Sequence, residues 1–360
     1  MITMWVGSYP PAGLGSPSGR GEGIFRVDGV ASTSTASGDG RGSTAGGMPV
    51  RMTARLATPS PAASFLARTG DGRMLYAVGE EKQGTVSAFT MDGDGTPRLS
   101  RTVPSGGALP CHLWLDEDAG WLWVSNYGDG VFAALRVRGD GDLTGEIVRF
   151  PPADVSPSHA HSLTPVPDEP WLLGADLGTD TLRRLRRDGE VPAEDGVAAR
   201  LPAASGPRHV VARGDLLYVT CELAATVAVL RWDSRNARAH LLGVVPAGIG
   251  DARGSQAPGA PSHLVLSGNR LYVAVRGSDT VTTFAVEDPA ERAGATGLQM
   301  LAQTPTATWP RHMDLVGGSL VVAGEHAHVL AVHPLDGDGV VLPVSQEVPV
   351  AASPSFVLPG

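Results

Sequence analysis

Runs of apolar and β-branched residues, each only a few positions long and closed by Gly, Asp, Asn or Pro, recur from one end of the chain to the other. One set comprises 74–78, 121–125, 171–175, 216–220, 269–275 and 319–323, typified by Leu75-Tyr76-Ala77-Val78. A second set follows after polar turns, at 86–89, 131–137, 226–232 and 281–286. This punctuation predicts antiparallel strands, and no stretch sustains the 3.6-residue period of an amphipathic helix.

The strands belong to a longer repeat. Seven short segments end at Phe65, His112, His161, His209, His263, His312 and Phe356, at spacings of 47, 49, 48, 54, 49 and 44 residues. A period of this length in an all-β pattern points to the blades of a propeller, each needing its neighbours to bury its faces. The ends support closure of a ring. The chain opens at Met4 to Tyr9 on what reads as a second strand, Gly23 to Val27 reads as the third, and the absent first strand is supplied by Phe356-Val357-Leu358. The expected fold is therefore an all-β, seven-bladed β-propeller, one domain over residues 1–360, closed by pairing of the C-terminal strand into the N-terminal blade. Residues 31–48 hold too little apolar content to fold alone and are expected to be a flexible surface loop. The segment 248–259 is similarly loose and accounts for the longest spacing.

Composition sharpens this picture. Glycine (47) and proline (29) are abundant among 360 residues while 42% remain hydrophobic, which suits a turn-rich globular domain. A net charge of −9 without any basic block speaks against nucleic acid or an anionic membrane as partner. No apolar run approaches membrane-spanning length and no basic leader precedes the first strand, so a cytoplasmic protein, monomeric or weakly homo-oligomeric, is expected. Cys111 and Cys221 match no metal or redox spacing and read as buried thiols.

In a propeller the innermost strands line a central channel, so equivalent repeat positions converge. Five of the ten histidines stand at the repeat anchors: His112, His161, His209, His263 and His312. A histidine repeated in every blade also suits a structural bond to neighbouring backbone. Arg208 and Arg311 precede two of these histidines, and a guanidinium fork suits a carboxylate or phosphate as well as an inter-blade ion pair. A second polar ring ends the second strands: Glu80, Asn126-Tyr127, Asp176, Glu222, Arg276 and Glu325-His326. Turn capping explains Asn126 and Asp176. It explains Glu222 and Arg276 less well, because they put charge directly after buried strands. The pair His159 and His161 is a weak metal signal, since zinc wants three or four ligands. No Gly-x-Ser-x-Gly elbow and no phosphate-binding glycine loop is present, so neither covalent serine catalysis nor any cofactor is expected.

At these motifs the chain resembles the propeller-type bacterial 6-phosphogluconolactonase family, which also includes fungal carboxy-muconate cyclase. The resemblance covers most of the chain and is carried by Val6-Gly7-Ser8-Tyr9, Pro110-Cys111-His112, Ser125-Asn126-Tyr127-Gly128, His159-Ala160-His161-Ser162, Ala175-Asp176-Leu177-Gly178, Gly206-Pro207-Arg208-His209, Glu222-Leu223 and Pro310-Arg311-His312. It implies hydrolysis of a small anionic sugar-acid lactone at a channel-face site built from His161, Arg208, Glu222 and Arg276. Glu222 or His161 would act as general base, Arg208 as donor to the oxyanion or carboxylate, and Arg276 as grip on the anionic tail. His112, Asn126, Tyr127, His159, Asp176, His209, His263, Arg311, His312 and Glu325 are the candidate substrate-binding residues. The same site run as a lactone-forming cyclase, and a noncatalytic binding propeller, are the competing readings.

Overall fold

A computed structural model describes residues 2–9, 21–31, 50–153, 157–249, 259–289, 296–350 and 353–360. The expected loop at 31–48 lies outside them except for residue 31, as do 250–258 of the second loose segment. Every named element among the described residues is a strand, and the strands form seven four-stranded antiparallel sheets. Each sheet is one blade. Blade 1 joins Pro354–Pro359 to Ile2–Ser8, Gly23–Ala31 and Val50–Pro59, and blades 2 to 7 follow in chain order. None of the described elements is a helix long and apolar enough to cross a membrane.

The apolar runs are continuous rather than alternating because both faces of a blade's inner strands are covered. Leu217, Tyr218 and Val219 of blade 5 are all fully buried. Leu217 and Val219 pack with Leu173, Leu182 and Ala175 of blade 4, whereas Tyr218 packs with Leu271 and Val273 of blade 6. Seven such clusters occur, one at each seam between blades. Burial of each Val or Leu side chain there contributes roughly 1.5–3 kcal/mol. Polar tips at the seams also find partners: the Tyr272 hydroxyl donates to the Gly339 carbonyl of blade 7 at 2.8 Å. The outer strands face water on one side and turn polar, as in Pro97–Pro104.

Closure follows the expected register. Met4, Trp5, Val6 and Gly7 pair with Pro359, Leu358, Val357 and Phe356. Gly7 is required there, because a Cβ would lie 2.4 Å from the Ala63 carbonyl oxygen of the next blade.

The innermost strands contain the feature that aims the site. In blade 3, Pro110 pairs with Asn126 and His112 with the adjacent Ser125, so an extra residue is accommodated at the anchor. Comparable irregularities occur at Ala160/Ser162, Pro207/Val210, Pro261/Leu264, Pro310/His312 and Gly7/Ser8. A bulge of this kind breaks the strict alternation of faces and can turn a side chain out of the sheet toward the axis.

Candidate active site

The seven anchors meet across the axis as a packed cluster of rings. Phe356 lies 3.9 Å from Phe65 and 4.0 Å from His312, His312 stacks on His263 at 3.8 Å, and His263 meets His209 at 4.8 Å. His209 touches His161 at 5.2 Å and His112 at 5.7 Å, and His112 returns to Phe65 at 4.4 Å. Among the bonds within this cluster is Nδ1 to Nδ1 between His209 and His263, 2.7 Å. Burial and the nearby Arg208 guanidinium push the imidazoles of His112 and His263 down to about 3 and lower His161, His209 and His312 well below the usual histidine range. The cluster is therefore neutral at physiological pH.

Against this cluster opens a cavity of about 310 Å³ lined by Glu80, Leu109, Cys111, Tyr127, His161, Arg208, Glu222, Arg276 and Arg311. All four residues assigned to catalysis from the sequence line it, joined by Tyr127 and Arg311 from the binding set. Arg208 occupies the position before the anchor in the innermost strand of blade 5, Pro207–Arg213, and Arg276 ends the second strand of blade 6, Arg270–Arg276. Glu222 follows the second strand of blade 5, Leu216–Cys221, where its backbone N–H donates to the Gly206 carbonyl at 2.8 Å. The Glu222 Oε2 atom lies 3.0 Å from Arg208 Nε and 2.7 Å from Arg276 Nη2. One carboxylate thus sits between two guanidiniums from neighbouring blades.

Burial alone would raise the Glu222 carboxyl, but Arg276, Arg208 and Arg311 outweigh it and hold the group below the usual carboxylate range. Arg208 is lowered to about 9 by burial and by Arg276, with Glu222 opposing, and stays cationic at neutral pH. Its Nη1 donates to the Ser262 carbonyl, which fixes the guanidinium plane. Nδ1 of His161 is buried without a protein partner, and the His161 side chain lines the cavity.

A second polar network forms the opposite wall. Arg311 donates to the Tyr9 hydroxyl, Tyr9 donates to Glu80 Oε1 at 3.3 Å, and Ser64 donates to Glu80 Oε2. Arg311 also pairs with Glu325 at 3.4 Å. Burial would lower Arg311, but Tyr9, Glu325, Glu80 and Glu222 overturn this and raise it.

The remaining candidates lie around this centre. His159 stacks on Tyr127 at 4.4 Å and donates from Nδ1 to the Tyr127 carbonyl at 2.9 Å, so of the two neighbouring histidines it is His161 that reaches the cavity. His112, His209, His263 and His312 belong to the ring cluster. Asn126 is bonded to Ser105 Oγ at 2.6 Å and to the Val131 carbonyl at 3.1 Å, and Asp176 accepts from the backbone N–H groups of His159 (2.9 Å) and Thr179 (3.3 Å). Both short side chains are engaged within turns. Sequence reasoning left Tyr9 and Ser64 out of the site. It placed Glu80 in the second polar ring without giving it a role.

A family model described as lactonase, seven-bladed β-propeller, matches residues 50–359. The chain is 26% identical over 322 residues to 6-phosphogluconolactonase of Bacillus subtilis (strain 168), covering 85% of this chain and 89% of that one. It superposes on the solved structure of the periplasmic gluconolactonase of Pseudomonas aeruginosa with a TM-score of 0.78 at 27% identity, over 99% of this chain and 98% of that one. A solved protein from Lactobacillus plantarum shares the fold with a TM-score of 0.81 at 23% identity, over the full length of both.

Proposed function

The chain belongs to the seven-bladed β-propeller lactonase family and is a hydrolase of a carboxylic ester, and from that premise we propose that its substrate is a sugar-acid lactone, 6-phosphoglucono-1,5-lactone, opened by water to 6-phosphogluconate. The observation that carries this reading is the Glu222 carboxylate held between Arg208 and Arg276 at the wall of the cavity.

Lactone hydrolysis needs an activated water, a donor for the tetrahedral oxyanion and a grip on the substrate's charge. Glu222 takes the proton of the attacking water, and the neutral His161 imidazole at the cavity wall orients that water. As the proton arrives, negative charge leaves Glu222 and appears on the substrate carbonyl oxygen. Arg208 then faces an oxyanion in place of a carboxylate, so its charge stays paired throughout and little reorganisation is needed. Arg276, over the face of Trp309 at 5.6 Å, holds the anionic tail. A cavity of about 310 Å³ fits one sugar-sized molecule and lies at the small end of ordinary ligand pockets.

The free, buried state of Cys111 and Cys221 accords with a reducing compartment, and we assign the enzyme to the cytoplasm. The substrate assignment is tested by comparing glucono-1,5-lactone with its 6-phosphate, for wild type and Arg276→Ala. Loss of the charge-assisted contact should raise KM for the phosphorylated lactone roughly 10- to 100-fold and leave KM for the neutral one nearly unchanged, while kcat changes alike for both because Glu222 loses one of its two guanidiniums. Equal effects on KM for both lactones would overturn the assignment of phosphate to Arg276.

A further inference from the structure

We propose that Glu80 is a second catalytic carboxyl of this site, the general acid that protonates the ring oxygen as the lactone C–O bond breaks; this rests on the lactonase reading above. Glu80 follows the second strand of blade 2, Met74–Gly79, at the repeat position that Glu222 occupies in blade 5. Blades 2 and 5 stand across the axis from each other in a ring of seven, and both carboxyls line the same cavity. Glu80 is fixed at both oxygens, Oε1 by the Tyr9 hydroxyl at 3.3 Å and Oε2 by Ser64. Beside it a small chamber of about 20 Å³, bounded by Tyr9, Ser64, Glu80, His161, Arg208 and Arg311, is large enough for a single water.

The two carboxyls differ in what balances them. Glu222 lies between two guanidiniums, whereas Glu80 shares Arg311 with Tyr9 and Glu325. Burial pushes Glu80 up to about 7, with Arg311, Ser64 and Tyr9 opposing and Glu325 reinforcing. The other titratable and charged groups lining the same two spaces are Cys111 and Tyr127 from blade 3, His161 from blade 4, Arg208, His209 and Glu222 from blade 5, Arg276 from blade 6 and His312 from blade 7. Burial keeps the Tyr9 hydroxyl and the Cys111 thiol protonated and His161 neutral. Carboxyls driven apart in this way can serve one site as base and acid.

The protons balance. Glu222 takes one proton from water, whose oxygen bonds the carbonyl carbon. On collapse, the bond to the ring oxygen breaks, its electron pair stays on that oxygen, and the Glu80 proton completes the new hydroxyl. The proton on Glu222 returns to Glu80 through solvent, and the product acid ionises.

The test measures kcat and KM against pH for wild type, Glu80→Gln and Ser64→Ala on 6-phosphoglucono-1,5-lactone and glucono-1,5-lactone, with spontaneous hydrolysis subtracted. The wild-type kcat should fall on the alkaline side with a midpoint of about 7. Glu80→Gln should lower kcat by roughly 10²-fold or more, leave KM within about twofold and flatten the alkaline limb. Ser64→Ala removes a donor that favours the charged carboxyl, so its limb should move to higher pH. A folded Glu80→Gln with wild-type kcat, or with the limb retained, overturns the assignment; if that variant does not fold, an unmoved limb in Ser64→Ala overturns it. Wild type that hydrolyses neither lactone overturns the lactonase reading and this assignment with it.

Discussion

Lowering the pH from 7 to 5 should weaken the native fold through the axial histidines, and His112→Phe should remove a measurable share of that loss. The His112 imidazole falls from an ordinary 6.5 to about 3 on folding, because burial and Arg208 disfavour its charged form. Between those values the unfolded chain binds a proton that the native protein does not. The contribution is therefore fully present above 6.5 and is lost as pH falls toward 3. At about 1.4 kcal/mol per pH unit below 6.5, acidification to pH 5 costs about 2 kcal/mol for this one ring. Glu80 acts in the opposite sense. Its folded value is raised from 4.5 to about 7, so its stabilisation is full below 4.5 and is lost as pH rises through 7. Acidification to pH 5 restores about 2 kcal/mol of it, which offsets roughly one histidine. Phe is compatible with the ring because Phe65 and Phe356 already fill two anchor positions, and His112 Nδ1 has no protein partner to lose. The variant should lie within about 1.5 kcal/mol of wild type at pH 7. Urea unfolding at pH 7 and pH 5 reads the effect, and His112→Phe should lose about 2 kcal/mol less than wild type. Identical losses in the two proteins would refute the placement of His112 as a neutral, sequestered imidazole.

Glu222→Gln keeps an oxygen between Arg208 and Arg276 but cannot take a proton, so kcat should fall by ~10² to 10⁴ with the circular dichroism spectrum retained. Asn126→Ala should lower stability by roughly 2–4 kcal/mol in denaturant melts, because Ser105 Oγ and the Val131 carbonyl lose a buried partner. Truncation before Pro354 deletes the strand that pairs with Ile2–Ser8 and bares its edge. The truncated chain should melt earlier and elute from size exclusion as larger species than the intact chain, while an unchanged melting temperature and elution volume would contradict the closure.

Much of this architecture was legible because the repeat is written in residues that cannot be moved. The anchors fix the blade count, and Phe356-Val357-Leu358 pairs with the opening strand in the expected order. The site was legible where a long charged side chain follows a buried strand, as at Glu222 and Arg276, since such a group can reach past the strand end into the cavity. Asn126 and Asp176 stand one position earlier in the repeat, level with Cys221 and Val275, and their short side chains bond nearby turn atoms. That one-residue offset separates the two cases, because successive residues of a strand point to opposite sides. Tyr9 was missed because its partners come from sequence separations of 71 and 302 residues. Only ring closure brings blade 7 beside blade 1. The bulges at the anchors decide which histidine of His159 and His161 faces the axis, and no strand period encodes that extra residue.

The central claim is that Arg208 and Glu222 form the centre of a lactone hydrolase. Its most direct test follows freshly generated 6-phosphoglucono-1,5-lactone with wild type and with folded Arg208→Ala, against the spontaneous rate. Wild type should accelerate ring opening well beyond the spontaneous reaction, and loss of the oxyanion donor should lower kcat by ~10²- to 10³-fold. A wild-type rate equal to the spontaneous one, or a folded Arg208→Ala with undiminished kcat, would contradict the account.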